Sequence, residues 1–139
     1  MSLEVVVYVL TALAAVVVVL TRLRLRKDMG AGRHQVGTGL VNLHTVCGVL
    51  ALVGWGAFLA TNEDVSWNGL VGIVSLGFWW LTVMAGLLLL VRWLPSRGRH
   101  ASGAIEDSWS EGPGLSVLAH VGLLVGVLVV TYAYLTSAV

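Results

Sequence analysis

Polar and apolar positions are segregated along this chain. Four long apolar runs occupy roughly residues 4–21, 38–60, 67–93 and 114–136, and none has Asp, Glu, Lys or Arg in its central part. Each run is long enough to cross a hydrocarbon core of about 30 Å. A backbone in that core has no water to bond, so each run is expected to close its own hydrogen bonds as an α-helix. The pattern predicts an all-α integral membrane protein: four transmembrane helices in an up-down-up-down bundle, forming one domain over residues 1–139.

Charge placement sets the expected orientation. All eight basic residues fall in or beside two connectors: Arg22, Arg24, Arg26, Lys27 and Arg33 after the first run, and Arg92, Arg97 and Arg99 after the third. The opposite ends carry Glu4, Glu63 and Asp64. The positive-inside rule then puts loops 22–37 and 94–113 in the cytoplasm, with both termini outside the plasma or inner membrane. The first run has Glu4 before it and its basic cluster after it. That order reverses a secretory signal, so the run reads as a retained helix.

Composition agrees with the pattern. Charged residues make up 11% and apolar residues 58%, and mean hydropathy is +0.92. Soluble domains carry about 25% charge. The one cysteine, Cys47, excludes an internal disulfide and reads as packing. Trp67 and Trp93 bracket the third run as interfacial anchors would. Trp79 and Trp80 lie near its middle, as bulk or as the wall of a cofactor pocket. No phosphate-binding loop, HExxH or GxSxG is present. The short basic loops lack interleaved aromatics, so nucleic acid is not an expected partner. No carboxylate lies in the central part of the apolar runs to couple protons to export.

The chemistry left is histidine. Of four histidines, His34 and His100 lie in the basic loops, while His44 and His120 lie inside the second and fourth runs. Thr38 to His44 and Gly114 to His120 are each six residues. At 1.5 Å rise per residue both histidines fall about 9 Å from the same end of parallel, diagonal helices. Small residues share the His44 face, Gly48 and Ala51 above all. Ser116 lies one turn before His120 on its face, whereas the Gly122/Gly126 pair points elsewhere, toward a neighbouring helix. Ionisable residues inside a membrane are costly and are read first as functional. Three readings follow: axial ligation of one haem by both rings, hydrogen bonding across a helix interface, or a proton or quinone site without haem. Arg33, Arg97 and Arg99 are candidates to pair with haem propionates or with anionic lipid headgroups.

The four-helix plan with histidines on the second and fourth helices resembles the cytochrome b family of respiratory membrane subunits. That resemblance implies one haem b with His44 and His120 as axial ligands to its iron; Gly48, Arg33, Arg97 and Arg99 stand beside it only as candidates read from the residues themselves. Members with two haems place a second histidine about four turns along each helix; here Phe58 and Tyr134 stand near those positions. The resemblance therefore implies one haem at most, exchanging electrons with a quinone or a redox partner in an oxidoreductase complex. The alternative is an accessory or assembly subunit of a larger respiratory membrane complex, without a cofactor of its own. Membrane lipid and other membrane subunits are the expected partners.

Overall fold

A computed structural model describes residues 1–27, 38–61, 66–93 and 113–139, with side chains for 1–19, 39–61, 66–91 and 117–139. The described residues form four helices: α1 (Leu3–Lys27), α2 (Thr38–Ala60), α3 (Asn68–Trp93) and α4 (Pro113–Leu135). The stretches Gly39–Ala60, Asn68–Val91 and Val117–Leu135 are long and apolar enough to cross a membrane, and among the described side chains of α1 the stretch Leu3–Val19 is apolar. By length and composition the chain is a multi-pass membrane protein.

Two helix ends differ from the pattern in the sequence. The first helix does not stop at Thr21 but continues to Lys27. Leu, Arg and Lys are good helix formers, and no glycine or proline intervenes before Gly30. The fourth helix begins on Pro113, whose missing N–H costs nothing in a first turn. It ends in a Schellman motif: Ser137 is left-handed with φ 50°, its N–H donates to the Tyr134 carbonyl at 3.1 Å, and that of Ala138 donates to Ala133 at 2.9 Å.

The helices pack in a ring, α1 beside α2 beside α3 beside α4 beside α1, while α1 barely touches α3 and α2 barely touches α4. The α2/α3 pair is the most intimate. A Cβ on Gly54 would collide with the Ser75 side chain, and one on Gly48 would sit 3.5 Å from Thr82 Cγ2. Helices approach this closely in a membrane where small residues line the seam. Hydroxyl side chains of the helices satisfy themselves: those of Thr11, Ser75, Thr82 and Thr131 donate to the carbonyl four residues back.

The core comprises Val7, Ala51, Trp55, Phe58, Leu76, Trp79, Val83, Val127, Val130 and Ala133. The α3 contribution recurs at steps of three and four residues, one helical face. Outward positions are large and apolar too, Val53, Leu70, Leu88, Leu118 and Val125 among them. Such a surface is costly in water and suits acyl chains.

Candidate functional site

His44 and His120 meet in the middle of the bundle. Their helices are diagonal and hardly touch, so the two side chains bridge the gap. Their ring centroids are 6.0 Å apart and the planes 28° from parallel. Both residues are half-buried.

The third helix supports both rings. His44 Nδ1 lies 2.9 Å from the main-chain oxygen of Thr82. A carbonyl only accepts, so Nδ1 carries the proton and donates. In the neutral imidazole Nε2 is then the bare nitrogen. One turn on, Gly86 faces the pair. A Cβ there would lie 2.8 Å from His120 Cδ2, 3.0 Å from His44 Cε1 and 3.3 Å from His120 Nε2. Any side chain at 86 would push both imidazoles aside. The site is thus two rings seated on a glycine, with one ring oriented by a carbonyl from the same helix. It can accept a proton, hold a hydrogen bond or offer nitrogen to a metal.

Other residues singled out in the sequence fall differently. Gly48 faces Thr82 and serves the α2/α3 seam. Arg33, Arg97, Arg99, His34, His100 and the Ser116 side chain lie outside the described residues. Cys47 is a buried free thiol, and no group of three metal-ligating side chains occurs among the described residues. Gly126 faces Leu10 of α1 at 4.0 Å, whereas Gly122 has nothing near it. Trp79 is buried in the core, and its indole N–H, like that of Trp55, meets no hydrogen-bond partner among the described residues. Trp80 Nε1 donates to Thr131 Oγ1 at 3.2 Å, tying α3 to α4.

The sequence reading missed Thr82 and Gly86, because α3 offers no ionisable residue in the central part of its apolar run. A signal existed nonetheless. Gly86 lies seven residues from Trp93 at the end of α3, close to the depth of His44 and His120 in their own helices.

A second cluster repeats this plan near the other end. A Cβ on Gly72 would meet Tyr134 Cε2 at 2.6 Å and Phe58 Cδ2 at 3.0 Å. The Phe58 and Tyr134 rings stand 5.5 Å apart at 60°, and Trp55 packs 4.9 Å from Phe58. The Tyr134 hydroxyl donates to the Gly69 carbonyl at 2.8 Å. Two surface grooves lie away from the histidines. One, about 420 Å³, runs between α1 and α2 past Tyr8, Ala12, Leu52 and Gly56. The other, about 320 Å³, is on α3 at Val74, Gly77, Phe78 and Leu81.

No family model, curated protein or solved structure matches the chain.

Proposed function

We propose that the chain is a membrane electron-transfer subunit that holds one haem b between His44 and His120 and exchanges electrons with a quinone or a redox partner. The observation that carries this reading is the ring pair, with centroids 6.0 Å apart on diagonal helices. If the group binds here, His44 and His120 are the residues that would offer it nitrogen, their rings brought together from two helices that otherwise hardly touch. The Thr82 bond supports it further, because a ligating histidine commonly donates its other nitrogen to a carbonyl, which fixes the ring and leaves Nε2 for the metal. Gly86 fits the same purpose, since it withholds a side chain where both rings converge. When bound, the haem supplies a one-electron iron couple. The protein's part is to fix two nitrogens, keep water away with apolar walls and set the depth of the site.

The reading places four spans up and down in the plasma or inner membrane, with both basic loops cytoplasmic and both termini outside. The distribution of Lys and Arg supports that orientation, and the pairing of Gly54 with Ser75 and Gly72 with Phe58 supports opposite chain directions for α2 and α3 only. A C-terminal reporter active only outside the cytoplasm tests it; activity restricted to the cytoplasm rejects it.

The decisive measurement is an absorbance spectrum of protein purified from haem-replete cells. The proposal requires a Soret band and split alpha bands, each lost or shifted in His44→Ala and in His120→Ala. A colourless protein ends the haem reading. It would favour the accessory-subunit alternative, which the open backbone at Gly122 and the exposed Leu118 and Val125 on α4 support as a packing face.

A further inference from the structure

We infer that the packed stretch between the two ring clusters is a dry seal, which keeps water and protons at the Phe58/Tyr134 end of the bundle from the histidine pair. Ala51, Trp79 and Val127 each lie seven residues from His44, Gly86 and His120, and Phe58, Gly72 and Tyr134 lie seven further. The three levels are therefore about 10 Å apart along the helices. The middle level inverts the plan of the other two. Its ring is on α3, as Trp79, while α2 and α4 contribute the smaller Ala51 and Val127. These three are 5%, 0% and 2% exposed. Trp55, Leu76, Val130 and Ala133 continue the packing toward Phe58. On α2, α3 and α4 every member of the core cluster lies on this side of the histidine level. An interior packed from apolar side chains offers water neither room nor partners.

The polar groups in this stretch do not connect. The Thr82 hydroxyl, near the histidines, and the Ser75 hydroxyl, near Phe58, each donate to a carbonyl of their own helix at 2.7 and 2.6 Å. They stand seven residues apart, about 10 Å, whereas a hydrogen bond spans about 3 Å. Between those two levels α2, α3 and α4 carry only apolar side chains, glycine and the indoles of Trp79 and Trp80. An indole nitrogen donates and does not accept, so it cannot pass a proton on. On the reading proposed above, the sealed end is the outer one, and any proton taken up at the histidine site then enters from the cytoplasmic side. The seal itself does not depend on what the rings hold.

The test is hydrogen exchange in the full-length protein in phosphatidylcholine bilayers, read by NMR at nitrogen-labelled indoles after transfer to deuterated water. Trp55→Phe and Trp79→Phe assign the two signals. Both indole protons are expected to exchange about tenfold more slowly than that of Trp67, which is 53% exposed. Phe58→Ala removes the outer wall of the seal. Trp55, the nearer indole, then exchanges about tenfold faster, and Trp79, one turn deeper, changes less. Native exchange of either indole as fast as that of Trp67 overturns the seal. So does a Phe58→Ala variant in which Trp79 accelerates as much as Trp55 or more, because water would not be entering past Phe58. The native measurement needs no substitution, so it decides even if Phe58→Ala fails to fold. A colourless protein leaves the seal standing, and a wet core leaves the haem reading to its own spectrum.

Discussion

At one level of the bundle α2, α3 and α4 contribute His44, Gly86 and His120; at another they contribute Phe58, Gly72 and Tyr134. His44 and Phe58, Gly72 and Gly86, and His120 and Tyr134 are each fourteen residues apart. That is about four turns, or about 21 Å along each helix. Both layers use a glycine of α3 as the seat for two rings. They differ in what the rings are. The phenyl and phenol of one layer pack edge to face, and the hydroxyl reaches the Gly69 carbonyl. That layer is satisfied by packing and one hydrogen bond. The imidazoles of the other layer bring polar nitrogens into an apolar bundle, which packing alone does not reward. The same scaffold thus carries a layer of packed aromatic rings and a layer of imidazoles, one of them hydrogen-bonded to the Thr82 carbonyl.

The strongest test exchanges these roles. Phe58→Ala is expected to destabilise the protein by about 3–5 kcal/mol, the usual cost of deleting a buried aromatic ring. In the protein without bound ligand, His44→Leu and His120→Leu are expected to change stability by about 1 kcal/mol, the worth of a typical hydrogen bond, and in the loaded protein each removes the ligand's spectrum. Unfolding in mixed micelles followed by helical circular dichroism measures both. A Phe58→Ala cost no larger than that of the histidine changes would erase the distinction between the layers.

The two glycines sharpen the comparison at the next scale. Overpacking a tight site costs about 1–3 kcal/mol, and both Gly72→Ala and Gly86→Ala add a Cβ within 3.0 Å of a ring carbon. Equal destabilisation is expected with unequal signatures. Gly86→Ala moves the imidazoles and shifts the spectrum of a bound ligand or the ring proton resonances of His44. Gly72→Ala leaves those signals in place. A spectrum equally disturbed by both would mean that the layers are coupled through α3.

Much of this was legible in the sequence, for physical reasons. Apolar length specifies a membrane helix with little ambiguity, so α2 occupies the interval read from the pattern. Matched depth on alternate helices was enough to single out His44 and His120 together. The fine structure of the site was not legible, because it depends on which face α3 turns inward. Gly86 and Thr82 contribute a missing side chain and a main-chain oxygen, and neither announces itself as chemistry. The role of Gly48 changed for the same reason: sharing the His44 face does not say which neighbour fills the space, and Thr82 fills it.

A smaller effect separates packing from hydrogen bonding within the aromatic layer. Tyr134→Phe keeps the ring against Gly72 and removes only the bond to the Gly69 carbonyl. Interhelical hydrogen bonds in membranes average about 0.6 kcal/mol, so a loss near that value is expected by unfolding titration. A loss of several kcal/mol would make the hydroxyl, and not the ring, the organising feature of this layer.

The smallest expected effect lies just past Tyr134. Ser137 adopts φ 50°, a left-handed conformation that glycine adopts without steric cost and serine does not. The Schellman bonds from Ser137 and Ala138 hold it there, and Ala138 and Val139 then pack back on the core. Ser137→Gly relieves the strain but frees the unfolded chain, so the two contributions partly cancel. A net gain below about 1 kcal/mol is expected. Because the histidine layer lies nearly five turns away, roughly 25 Å, the ring resonances of His44 and His120 should not move. A measurable loss of stability would show that the serine side chain contributes contacts that outweigh the backbone strain.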